Sequence, residues 1–235
     1  MQTVTRRRAV WGLLVVTIVW GATFIWMKQA MNALQSEIDF YGQTAVVSVL
    51  VGGRFLIAAI ALFIGSSKAR AALREKELWS GGTVLGLILL VGFTTQMVGI
   101  DTISPSTSAF LTSLYVVFTA MISTKMTGQP VTRMMIAGVL LATFGAGFIE
   151  GPPHLSWGKG EILTVICAFF FALHIIFTQS ITQRMDPLGV TITSFLVVSI
   201  GSLAISFLMG GEDTFKLWEL TLQQDVLVPL LCLGL

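Results

Sequence analysis

One arginine sits in a long apolar stretch: Arg54 has 14 uncharged residues before it (Phe40–Gly53) and 13 after it (Phe55–Ser67). A guanidinium in such surroundings suits two jobs, holding an anionic group of a solute (or a gate partner) or hydrogen-bonding helix-end carbonyls that pin a fold. Inside a bilayer it costs at least about 2.5–3.5 kcal/mol and belongs against the bundle interior or a wet cavity. Lys28 lies about 28 Å along a helix from Ala9 at about 1.5 Å per residue, at the far boundary, where its stem can snorkel to water. His174 lies among Phe169, Phe170, Phe171 and Phe177. Such a histidine can shuttle protons or link helices through a hydrogen bond. Asp101, Glu150 and Glu161 all fall at helix ends, so no deep carboxylate completes a relay. Trp20, Trp26, Phe24 and the phenylalanines around His174 suit an apolar cavity or a lipid face. Gln96, Tyr115 and Gln179 add neutral hydrogen-bonding groups at cavity depth. The candidate set is therefore a solute cavity of Trp20, Lys28, Arg54, Gln96, Tyr115, His174 and Gln179, with no catalytic residue, no metal site and no cofactor.

The elements that must hold these residues are membrane helices. Apolar residues make up 54% of the 235-residue chain and charged residues 11%, against about 25% charged in soluble domains. Charge-free runs span Ala9–Met27, Leu78–Ile100, Thr102–Thr124, Ile162–Gln183 and Pro187–Gly211. Each approaches or exceeds the roughly 20 residues that cross a hydrocarbon core about 30 Å thick. A net charge of +2 is too small and dispersed for a nucleic-acid surface. Cys167 and Cys232 lie in apolar runs, which argues against a disulfide framework or thiolate metal site. The alternating segments of an outer-membrane barrel are missing. Arg6-Arg7-Arg8 before an apolar run also fits a signal peptide, but the run is long and no small-x-small cleavage site follows. It is read as a retained first helix.

The helices are expected near Val10–Met31, Thr44–Ile64, Gly82–Ile100, Pro105–Thr124, Arg133–Ile149, Gly160–Gln183 and Leu188–Met209, with Val226–Leu235 as half a span. Ser104-Pro105 reads as an N-cap followed by proline at the first helical position. Gly128-Gln129-Pro130, Gly151-Pro152-Pro153 and Asp186-Pro187 read as breaks. The short loops predict antiparallel, adjacent neighbours. Gly82-x3-Gly86 and Gly138-x3-Ala142-x3-Ala146 read as close helix-packing faces. Ten Lys and Arg fall on the side of the N-terminus and three (Lys28, Lys159, Lys216) on the other, which puts the N-terminus in the cytoplasm. Helix spacing suggests two inverted five-helix halves, a plan in which the solute site lies at their interface.

Trp20-Gly21-Ala22-Thr23-Phe24-Ile25 with Lys28, then Arg54-Phe55, then Ser106–Val117, then Ile136–Gly147, resemble in order and spacing the EamA-type drug/metabolite transporters. The resemblance implies an all-α polytopic membrane helix bundle of ten helices in two inverted repeats, the first over residues 1–150. The second, over 151–235, would be incomplete, leaving about 7.5 transmembrane helices. It further implies a multi-pass protein of the bacterial plasma (inner) membrane that exports small organic metabolites, amino acids or drug-like solutes, and it adds a vestibule role for Lys28. Its acidic residue after the fourth helix and its proline within that helix are replaced here by Gly128-Gln129-Pro130 and Phe118-Thr119-Ala120-Met121. The expected partners are the small-molecule substrate and the lipid bilayer, without nucleic acid, and with a homodimer left open. No phosphate-cradling nucleotide motif is present, so energy would come from a gradient or exchange. Two rivals stand beside this reading: a non-transporting truncated fragment needing missing helices or a partner, and an intramembrane enzyme. The enzyme lacks acid–base partners, with His154 and His174 as its histidines.

Overall fold

Caps and prolines set where the helices begin. The Ser104 hydroxyl accepts a hydrogen bond from the Thr107 N–H at 3.0 Å, with Pro105 next in the chain. Asp186 does the same for Gly189 at 2.8 Å ahead of Pro187. Both are N-caps that satisfy amides left without a partner in the first turn. The Glu161 carboxylate reaches back to the Gly158 N–H at 2.9 Å to start a further helix.

The computed structural model of the chain describes residues 2–127, 132–148, 157–211 and 214–234. Among these it is all-α: α1 Gln2–Ala33, α2 Gln35–Tyr41, α3 Gln43–Gly65, α4 Ser67–Ala72, α5 Lys76–Ile100, α6 Pro105–Ser113, α7 Tyr115–Thr127, α8 Arg133–Gly147, α9 Lys159–Thr182, α10 Pro187–Gly210, α11 Thr214–Leu220 and α12 Gln224–Gly234. Six stretches among the described residues are long and apolar enough to cross a membrane: α1 from Val10, α3, α5, α6–α7 as far as Thr124, α9 and α10. The apolar helices α8, with 15 residues, and α12, with 11, are shorter. The Gly128-Gln129-Pro130 and Gly151-Pro152-Pro153 breaks, together with Glu150 and His154, lie outside the described residues.

Three features depart from the expectation. The fourth span is interrupted at Leu114, which separates α6 from α7. The Ser113 hydroxyl donates back to the Phe110 carbonyl at 2.6 Å, a contact that bends helices without proline. Short helices α2, α4 and α11 occupy stretches expected to be loops. The last is held by Thr214, whose hydroxyl donates to the Ser206 carbonyl at 3.2 Å, and by Trp218, whose indole N–H donates to the Ser206 hydroxyl at 3.3 Å. Thirdly, consecutive spans are not the main packing pairs. α3 packs along α10, α5 along both α9 and α10, α12 against α1 and α3, and α6 and α7 against α9.

Small residues explain the partner choice. Without a hydrophobic drive between helices in lipid, close backbone approach through small side chains decides which helices associate. Gly82 and Gly86 place α5 directly on α10: a Cβ at Gly86 would stand 2.7 Å from Val197 Cβ and 2.8 Å from the Ser194 carbonyl oxygen. The Thr193 hydroxyl donates across this contact to the Leu78 carbonyl at 3.2 Å. Further along α5, Gly92 and Gly99 lie against Phe171 and Thr164 of α9. The expected Gly82-x3-Gly86 face is therefore an interface. At Gly138 the expected packing face has no neighbour among the described residues, since a Cβ there would meet nothing within 4 Å; the Ala142 and Ala146 side chains lie outside the described set.

The core is unevenly spread. Met27, Met31, Val46, Val47, Leu50, Met97 and Ile100 are almost wholly buried, and all lie toward the ends of α1 and α5 and the start of α3. At the opposite end a smaller cluster joins Ala69, Ala72, Leu78, Leu85, Val190 and Ile192. The early part of α1 carries an open apolar face, with Trp11, Leu13 and Ile18 at least 60% exposed.

Candidate functional site

α3 begins after Gly42, whose φ of 85° lies in the left-handed region that glycine adopts without a Cβ clash. That turn starts the helix at Gln43 and puts Arg54 twelfth of its 23 residues, midway across a span. There the guanidinium carbon lies 4.4 Å from the centre of the Phe93 ring and 5.4 Å from that of Phe55. Both distances fall within the roughly 6 Å reach of a cation–π contact. A guanidinium nitrogen also stands 3.9 Å from the Met27 sulfur. No carboxylate and no helix-end carbonyl reaches Arg54 among the described residues, so the pinning role imagined from sequence is replaced by an aromatic seat.

The seat belongs to a larger ring cluster. Phe55 meets Phe93 and Phe195 edge-on, and Phe93 meets Phe171, with centres 5.0–5.2 Å apart. The four rings come from α3, α5, α9 and α10. Beside them Arg54, Phe55, Leu62, Thr191, Phe195 and Gly234 contribute to the wall of a cavity of about 490 Å³ between α3, α10 and α12. A mostly apolar hollow with one fixed cation can take a small solute by burying its apolar part and pairing its anionic group.

Other candidates are brought together in pairs. Trp20 of α1 meets Tyr115, the first residue of α7, with ring centres 5.9 Å apart. The buried Gln96 donates its side-chain N–H to the Thr112 hydroxyl at 3.1 Å, joining α5 to α6. Buried hydroxyls of Ser108, Thr94, Thr119, Thr178 and Ser202 make no hydrogen bond to the described protein atoms.

Lys28 is not simply at the lipid boundary. Its ammonium donates to the carbonyls of Ile100 at 2.9 Å and Asp101 at 2.6 Å, satisfying groups that the end of α5 would leave unpaired. Beside it, the Gln43 amide N–H donates to the Asp101 carboxylate at 2.9 Å, and Lys159 donates to the Gln43 amide oxygen at 3.2 Å. His174 is half-buried and makes no hydrogen bond among the described residues. Gln179 is exposed on α9, away from the cavity wall. Among the phenylalanines near His174, Phe171 is buried, whereas Phe169 and Phe177 are exposed.

Sequence reasoning missed Phe93, Phe195, Thr112, Gln43 and Lys159. The aromatics and hydroxyls look like their many neighbours in apolar runs. Gln43 carried a usable signal, a polar residue opening a span. No group of three or more His, Cys, Asp or Glu able to hold a metal occurs among the described residues, and both cysteines are free thiols.

Comparison with known proteins adds two findings. A family model described as the EamA-like transporter family matches residues 7–150. A protein of Archaeoglobus fulgidus named as an uncharacterized transporter is 29% identical over 178 residues, which cover 75% of this chain and 50% of that protein. The chain spans about half the length of this relative.

Proposed function

Because the chain belongs to the EamA-like transporter family, we propose that it is a secondary transporter exporting small organic solutes, namely metabolites, amino acids or drug-like compounds, that carry an anionic group. The reading favours passage over catalysis. Its location is a bacterial inner membrane, with the Arg70, Arg74 and Arg184 end of the bundle in the cytoplasm by the charge rule. Residues 1–150 form one five-helix repeat and 151–235 part of an inverted second. Packing supports that division: exchanging α1 with α9, α3 with α10 and α5 with α12 turns the α5–α9 contact into α12–α1, and α5–α10 into α12–α3. All of these pairs occur. The relative from Archaeoglobus fulgidus, named a transporter, points the same way.

The observation that carries the proposal is Arg54: a mid-span cation seated on Phe93, without a carboxylate partner among the described residues, at the wall of a cavity of about 490 Å³. Small-molecule sites are hollows of about 300–1,000 Å³, mostly apolar with a few placed polar groups. The arginine anchors the anionic group and the phenylalanines receive the rest of the solute. The test is solute movement in proteoliposomes carrying the full chain, over a panel of amino acids, aromatic carboxylates, purines and quaternary dyes. Carboxylates should move, and Arg54→Gln should weaken their apparent affinity at least about tenfold, as expected for a charge-assisted hydrogen bond worth about 1.5–3 kcal/mol. Arg54→Lys should restore part of it. Preference for the cationic dyes, or unchanged carboxylate movement in Arg54→Gln, would overturn the proposal.

A further inference from the structure

We propose that Lys28, Gln43, Asp101 and Lys159 form the gate that closes the solute path at the end of the bundle opposite Arg70 and Arg184. This rests on the transporter reading above. The four residues come from four elements that a solute leaving the centre would have to pass: the last turns of α1, the first residue of α3, the residue after α5 and the first residue of α9. Their bonds run in one chain. Lys159 Nζ donates to Gln43 Oε1 at 3.2 Å, and Gln43 Nε2 donates to Asp101 Oδ2 at 2.9 Å and to the Val98 carbonyl at 3.3 Å. Lys28 Nζ ties α1 to the same place through the carbonyls of Ile100 and Asp101. Gln43 uses both faces of its amide, so it is the joint on which three elements meet.

Two further features make this a closure rather than a decoration of helix ends. Directly beneath it Met27, Met31, Val47, Leu50, Met97 and Ile100 are at most 1% exposed, an apolar plug between the tie and Arg54. On the other side of Arg54, the cavity wall follows α3 from Arg54 through Ala58 and Ala61 to Leu62, and includes Thr191 and Phe195 near the start of α10. The anchor thus has open volume toward the arginine-rich end and packed side chains toward the tie. The bonding is also of a reversible kind. Hydrogen bonds between partly exposed groups exchange for water at small net cost, unlike a deep ion pair, whose separation leaves a charge stranded.

The test is thiol accessibility in the full chain with Cys167→Ser and Cys232→Ser, using Met97→Cys as reporter below the tie and a membrane-impermeant maleimide. Gln43→Ala should raise the labelling rate about two- to tenfold, the open-state gain from losing one net hydrogen bond. The rise should appear only from the side that bears Lys159. Lys159→Gln should give the same direction with a smaller effect; Lys159 is exposed, so its replacement leaves the plug filled. Unchanged rates in Lys159→Gln and Gln43→Ala, or a rise from the opposite side, would overturn the gate. An equal rise from both sides with a lowered melting temperature would also overturn it and leave the tie a structural brace. Labelling requires no solute. A chain that gates the thiol but moves no solute refutes the transporter reading alone, and one that moves solute with ungated labelling refutes the gate alone.

Discussion

A charge at the middle of a membrane helix must be compensated locally. The arginine costs at least about 2.5–3.5 kcal/mol there, while a desolvated cation–π contact contributes about 2 kcal/mol or more. Phe93 at 4.4 Å and Phe55 at 5.4 Å therefore offset a large part of the cost. Phe93→Leu keeps an apolar side chain but removes the nearer π face. It should lower unfolding stability by about 1–2 kcal/mol. In a double-mutant cycle with Arg54→Leu, measured by denaturant unfolding in micelles, that loss should shrink to the share carried by the Phe55 and Phe171 edge contacts; additive losses would separate the two residues. Arg54 was legible from sequence because charge is rare in apolar runs. Phe93 was not, since its run holds nothing that marks one aromatic from another. Gln96 and Gln179 show the same limit: one is buried against Thr112 and the other exposed. Rotation about a helix apolar on all sides cannot be read from hydropathy. Lys28 was placed at the correct end, but its partners are backbone carbonyls, which no side-chain pattern encodes.

At the level of helices, glycine position matters more than glycine number. Gly86→Ala puts a methyl 2.8 Å from a backbone oxygen of α10, an overpacking that should cost about 1–3 kcal/mol. Gly138→Ala on α8 meets open space and should be neutral or stabilising by up to about 1 kcal/mol through helix propensity. Thermal unfolding of the two variants in one detergent checks both signs. The Gly82-x3-Gly86 spacing was a sound guide, whereas Gly138 meets no described neighbour, because such a spacing states that a helix can approach closely, not that a partner is there. Helix starts at Ser104-Pro105 and Asp186-Pro187 were legible from cap chemistry. The interruption at Leu114 was not, since neither proline nor glycine marks it.

For the whole molecule, hydropathy located the spans, and the charge rule proposes their orientation. Single cysteines replacing Arg70 or Arg184 should be labelled only from the cytoplasmic face, and one replacing Lys159 only from the outside; the reverse pattern would invert the topology. Short loops misled the pairing of helices, which depends on where small residues lie. That pairing has a mechanical consequence. α5 is fastened to α10 through Gly82 and Gly86 and to α9 farther along through Gly92 and Gly99, while α9 and α10 share little contact of their own. It is a beam clamped to a different neighbour at each end. A tilt of α5 away from either neighbour therefore has to open glycine contacts in which a backbone, a hydroxyl or a ring lies within about 3 Å of where a Cβ would stand.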